Sequence, residues 1–286
     1  MHNDTRGATS LVSIGRDVQV SRLLVGHNPP CGNSHLSADM NDDMRAYFSA
    51  DNVVAMYQHA EELGLHTLVI RGDFNMLYWI ELYRRTGGKM NVVGQTASEM
   101  SDIFLNIRIM AAAGVDAIYH HGTQTDTLFQ QGKPERVRDY LKCMRDEGVA
   151  VGLGTHMPEV IEYAQQHHWD VDFYMACFYN LSRPGPRQSA VVTGRADYGN
   201  EHYLEEDRQK MADLILRVDK PVLGFKILAA GRHCSTQQQV QEAYDFGYSH
   251  VKPADAIVVG FFPKYIDQIA LGLEYANAAI AKAAGR

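Results

Sequence analysis

Polar side chains suited to acid–base or metal chemistry recur where short apolar runs of this chain end. His27 follows the run 23–26, Arg71 closes 67–71 with Asp73 two residues on, and Gln95 closes 91–95. His120 and His121 close 117–121, and His156 follows 150–155. Neutral imidazoles with a carboxylate form a ligand set for zinc or a similar divalent ion. His121, His156 and Asp73, joined by His27, are therefore the expected metal ligands. The same residue types suit proton transfer, with Asp73 orienting and Tyr78 or His121 exchanging the proton. Side chains alternate along a strand, so only one of His120 and His121 can face a barrel axis. Lys226, in the run 221–228, suits either a Schiff base or an ion pair with Asp73 or a substrate carboxylate. Arg183, Arg187 and Arg195 lie in one long connection and suit an anion clamp. A single histidine at a loop mouth reads plainly as a satisfied polar residue; recurrence at successive strand ends is what points to a site.

Elements of one repeating kind must position these groups. Eight short apolar runs, at 23–26, 67–71, 91–95, 117–121, 150–155, 173–178, 221–228 and 256–260, read as parallel strands covered on both faces. Between them the helical segments can be delimited by their caps. Ser49 or Asp51 opens 51–63, which stops at Gly64, and Ser98 opens 99–113, which stops at Gly114. Pro134 opens 134–147 and Pro158 opens 158–167, while 204–218, 236–249 and 263–284 complete the set. This alternation predicts an α/β fold, a (β/α)8 TIM barrel in preference to an open doubly wound sheet, as one domain over 1–286. A hairpin at 11–21 is expected to close the barrel bottom. Two long connections, 27–48 and 179–203, follow strands and so belong to the C-terminal face, where barrel enzymes keep their active sites.

Composition narrows the partners. The chain has 286 residues, 45 % hydrophobic and 21 % charged, which suffices for a large core and excludes global disorder. Its 27 basic and 34 acidic side chains leave a net charge of −7, against nucleic acid or an anionic membrane as main partner. No apolar run approaches the roughly 18 residues of a membrane span, and the first residues lack the apolar centre of a secretion signal. Cys31, Cys143, Cys177 and Cys234 show no CxxC spacing, so a reducing cytoplasm and a small-molecule substrate are the expectation.

In order and spacing, several segments resemble the aldo-keto reductase superfamily over most of the chain. They are SIGRDVQVSRLLVG, RGDFNMLYWIE, VDAIYHHG, GLGTHMPEVIEYA, FYNLSR and FKILAAGR. The resemblance implies a catalytic tetrad to which Asp73, Tyr78 and His121 match, whereas Gln95 or Thr96 stands where the family has lysine. It also implies an NADPH site, from which this chain departs at Thr155-His156, at Ala176 and in GFFPKYIDQIALG. A neutral amide cannot lower a tyrosine's pKa as an ammonium does. The expectation is therefore a non-redox barrel enzyme, a lyase, isomerase or hydrolase acting on a small polar, sugar-like carbonyl or hydroxyl compound. In it a divalent metal on His121, His156, Asp73 and His27 polarises the substrate, Tyr78 moves the proton, and Arg71 and Lys226 bind an oxyanion. The alternatives are an NAD(P)-dependent carbonyl reductase and a non-catalytic binding barrel.

Overall fold

Eight parallel strands close on themselves in the computed structural model, which describes residues 7–183 and 201–285. In chain order after a short hairpin they are β3 (Leu23–Gly26), β4 (Thr67–Arg71), β5 (Asn91–Gln95), β6 (Ala117–His120), β7 (Ala150–Thr155), β8 (Phe173–Cys177), β9 (Val222–Phe225) and β10 (Ala256–Gly260). Each pairs with the next, and β10 returns to β3 through the register Ile257↔Leu23 to Gly260↔Gly26, so the open-sheet alternative is excluded. Nearly every strand residue is buried, because helices cover the outside and side chains fill the inside.

The hairpin is β1 (Leu11–Ser13) with β2 (Gln19–Ser21), paired antiparallel with Val12 opposite Val20. Val12, Ile14 and Val20 pack with Leu24, Val69, Val93, Phe173 and Leu223 in the barrel interior, which seals the N-terminal end. Opposite that plug, the C-terminal mouth stays open.

The helices are α1 (Ala38–Tyr47), α2 (Ala50–Glu62), α3 (Phe74–Arg85), α4 (Ile103–Ala112), α5 (Gly122–Gln130), α6 (Pro134–Asp146), α7 (Pro158–Gln166), α8 (Glu205–Ile215), α9 (Gln237–Ser249) and α10 (Gln268–Ala284). Ser49 caps α2 as expected, accepting the Asn52 N–H at 3.2 Å. Ser98 does not cap α4: Asp102 does, accepting the Leu105 N–H at 3.0 Å, so this helix starts later than the 99–113 reading. The connection 27–48 contains α1, capped by Ser37. The seventh barrel strand is shorter than 221–228, because Lys226 turns into the left-handed region at φ +66° and ends the extended backbone. No helix among the described residues is long and apolar enough to cross a membrane.

Candidate active site

A pocket of about 1120 Å³ opens at the C-terminal mouth, walled by the strand ends and the loops that follow them. His27, Arg71, Gln95, His121, His156, Arg183 and Lys226 all line it, so seven of the polar side chains singled out above converge. His120 does not. It turns outward, bonds Thr125 Oγ1 through Nδ1 at 2.7 Å and stacks on Tyr140 of α6, which resolves the alternation between the two adjacent histidines.

Asp73 and Tyr78 are not brought to the pocket. The backbone enters α3 immediately after Gly72, so Asp73 becomes the N-cap and accepts the Met76 N–H at 3.0 Å. Tyr78 then falls on the outer face of that helix, 56 % exposed. Asp73 sits 3.8 Å from the Arg71 guanidinium, which also pairs with Glu99. Lys226, for which a pair with Asp73 was one of the expectations, has its ammonium 3.4 Å from the Tyr203 hydroxyl. Arg183 pairs with Asp207, while Arg187 and Arg195 lie outside the described residues.

The central feature is a carboxylate that the sequence reading missed. Asp126, on the inward face of α5 and fully buried, accepts the His156 Nδ1–H at 2.8 Å. Its oxygens also accept the His156 backbone N–H at 3.1 Å, the Ser182 hydroxyl at 2.5 Å and the Thr155 hydroxyl. With Nδ1 donating to a carboxylate, Nε2 becomes the basic nitrogen of a ring that lines the pocket. Gly122 makes room for that ring: a Cβ there would lie 3.0 Å from His156 Cε1 and 3.2 Å from the Thr155 nitrogen. The available signal in sequence was an acid among threonines in GTQTDTLFQ, on a helix too short to need it for solubility.

His121 has the opposite tautomer. As N-cap of α5 it accepts the Gln124 N–H on Nδ1 at 3.4 Å, so Nε2 carries the proton. Burial, then the nearby His156, His120 and Arg71, hold its pKa well below the ordinary 6.5. His27 is pushed down to about 3, first by burial and then by the Arg71 charge, and its ring bonds the Gln95 side chain. Gln95 in turn donates to the Tyr119 hydroxyl at 3.0 Å. Burial pushes the Cys31 thiol up to about 12, so it is no ready nucleophile.

Of the four expected metal ligands, His27, His121 and His156 line the pocket and Asp73 does not join them. Among the described residues no group of three or more His, Cys, Asp or Glu side chains is arranged to hold an ion. Asp73 faces its own helix.

No family model matches the chain, and no curated protein matches it in sequence. Solved barrels do match in shape. The apo form of Gox0644 superposes with a TM-score of 0.57 at 10 % identity, over 96 % of this chain and 93 % of that one. The dihydropteroate synthase of Yersinia pestis gives 0.53 at 10 % identity, over 95 % and 98 %. The N-acetylmannosamine-6-phosphate 2-epimerase from Clostridium perfringens gives 0.50 at 13 %, over 90 % and 93 %. At such identities these likenesses establish the (β/α)8 barrel and leave the reaction to be argued from the site.

The resemblance to aldo-keto reductases is not upheld. The two of these barrels whose names state an activity are a synthase and an epimerase. The tetrad that resemblance implied is also not assembled, since Tyr78 is on the outer surface and Gln95 bonds Tyr119. The NADPH expectation loses its basis with it.

Proposed function

We propose that the protein is a proton-transfer enzyme, an isomerase or lyase, acting on a small polar compound with a hydroxyl beside a carbonyl. The observation that carries this reading is the buried Asp126–His156 pair at 2.8 Å. A carboxylate on Nδ1 fixes the ring's tautomer and orientation and stabilises the imidazolium that forms when Nε2 takes a proton. His121 supplies the complementary group, a neutral imidazole whose Nε2–H donates to the substrate carbonyl. As His156 removes a proton from the adjacent carbon, the electron pair moves onto that oxygen, and the His121 hydrogen bond stabilises the enolate. Transfer of the hydroxyl proton to the enolate oxygen, with return of the abstracted proton from the imidazolium to the neighbouring carbon, completes an isomerisation. Loss of a β-hydroxyl as water, with its proton taken from the imidazolium, completes an elimination.

The test is deuterium wash-in from D2O, followed by mass spectrometry across a panel of hydroxy-aldehydes, hydroxy-ketones and sugar acids. The expected result is exchange at one carbon of at least one compound class, abolished in Asp126→Asn. Exchange that survives Asp126→Asn, or that is lost to a chelator and restored by a divalent ion, would contradict the reading.

A further inference from the structure

The polar groups of the pocket are unevenly spread around the barrel mouth. At the last inward-facing position β4, β5 and β6 lead to Arg71, Gln95 and His121, whereas β3 and β10 end in Gly26 and Gly260. These two strands are neighbours, and in the closed ring they lie directly across from β6 and β7, which lead to His121 and His156. On that far side the wall is made by Pro29, Leu36, Met40, Met44 and Phe262. Pro29 lies over the strand end, where a Cβ on Gly260 would come 2.7 Å from its Cδ. The pocket's volume of about 1120 Å³ exceeds the about 300–1,000 Å³ that holds a drug-sized ligand. A hydroxy-carbonyl compound of a few carbons at the histidines therefore leaves most of it unfilled.

The far wall is apolar by construction. In α1, ADMNDDMRAY, the two methionines stand four residues apart and so share a face. Met44 is buried, Met40 half-buried, and Leu36, just before the helix, is 41 % exposed. Phe262 is held in place by Tyr47 and Phe48, whose ring centres lie 5.6 and 5.7 Å from its own. The polar side chains of this side are bonded within the protein. The Ser34 hydroxyl donates to Asn41 at 2.7 Å, the Asn33 amide bonds His35 Nε2 at 3.2 Å, and Gln268 accepts the Phe262 N–H at 2.8 Å. Hydrocarbon and thioether are what the wall offers a ligand, and the flexible, polarizable methionines suit a chain that can bend.

We propose that the side of the pocket bounded by Pro29, α1 and Phe262 is a hydrocarbon subsite that takes an alkyl chain carried by the substrate. This rests on the proton-transfer reading for which end of the molecule reacts, and it adds that the other end is apolar. The hydroxy-carbonyl head reaches His156 and His121 while the chain crosses the mouth to Leu36, Met40 and Met44. Each methylene buried there strengthens binding by up to about fourfold. A free sugar would have to bring its hydroxyls against hydrocarbon and lose their water without replacement, so free sugars are poor substrates.

The probes are the straight-chain hydroxy-ketones from hydroxyacetone to 1-hydroxy-2-octanone, titrated into the full chain. The readout is the NMR spectrum of isotope-labelled methionine methyl groups, with Met40 and Met44 assigned by substitution. Affinity is expected to rise by about two- to fourfold with each added methylene, and the longer ketones to shift both methyls. Leu36→Gln combined with Met40→Gln should weaken binding of the longest ketone by about tenfold and flatten the series. Asp126→Asn should keep the rise with chain length while losing deuterium exchange, which separates the two claims. Affinity independent of chain length, unmoved Met40 and Met44 methyls, or a rise unchanged in the double variant overturns the subsite and leaves the histidine pair standing. A rise with chain length that the double variant flattens, without exchange on any compound, upholds the subsite and contradicts the proton-transfer reading. If the double variant does not fold, the wild-type series and Met40→Gln alone decide.

Discussion

At the scale of single residues the account turns on which nitrogen of each imidazole carries a proton. Asp126 sets this for His156, and its replacement by Asn keeps size and burial but offers an amide where a carboxylate stood. That substitution should lower turnover by about 10³–10⁴-fold through the wrong tautomer, with little change in KM. Ser182 also donates to Asp126, at 2.5 Å. Ser182→Ala should therefore cost about tenfold, the size found when a group that orients a functional histidine is removed. Steady-state kinetics on the compound that exchanges deuterium reads both, and a Ser182→Ala loss larger than that of Asp126→Asn would contradict the assignment. His156, His121 and His27 were legible in the sequence as strand-end imidazoles. Asp126 was not, because it lies in mid-helix 30 positions before His156 and only the packing of α5 against the neighbouring β7 brings the two together. Tyr78 and Asp73 misled for a local reason: their spacing places them correctly along the chain, but the early start of α3 turns one into a cap and the other outward.

At the scale of elements, β7 and α5 must lie close enough for the pair to form, and Gly122 permits it. Gly122→Ala would place a methyl 3.0 Å from His156 Cε1 and 3.2 Å from a backbone nitrogen. The ring has to yield, since the backbone of β7 cannot. Activity should fall by about 10²-fold from displacement of the ring, with about 1–3 kcal/mol lost from stability by overpacking. Denaturant unfolding and the wash-in assay check the two effects separately; unchanged activity would mean the ring is not where catalysis needs it. The strands themselves were readable because each is a short apolar run covered on both faces, and β4, β5, β7 and β10 begin and end where those runs do. The run 221–228 was overread because Ile227 and Leu228 continue the apolar pattern after Lys226 has already left the extended region. Apolarity reports burial, and here burial outlasts the strand.

Over the whole molecule several imidazoles at the pocket or just behind it are held neutral by burial. His27 is lowered to about 3, His120 to about 4, and His121 well below 6.5. Below the unfolded value of 6.5 the unfolded chain binds protons that the folded chain refuses, so stability falls as pH falls. The window runs from 6.5 down to about 4 for His120 and about 3 for His27. Each such histidine contributes about 1.4 kcal/mol per pH unit inside it. Urea unfolding should therefore show a steep loss of stability on acidification below neutrality, shallower by one histidine's share in His27→Gln; a flat profile would mean that these rings are not buried neutral. The neutrality of His121 is what lets its Nε2–H donate a hydrogen bond beside His156. The most direct measurement is the ring-nitrogen NMR spectrum of the wild-type protein at neutral pH, with His156 and His121 assigned by substitution. The account predicts His156 protonated on Nδ1 and His121 neutral and protonated on Nε2. His156 protonated on Nε2 alone, or His121 as an imidazolium at that pH, would contradict it.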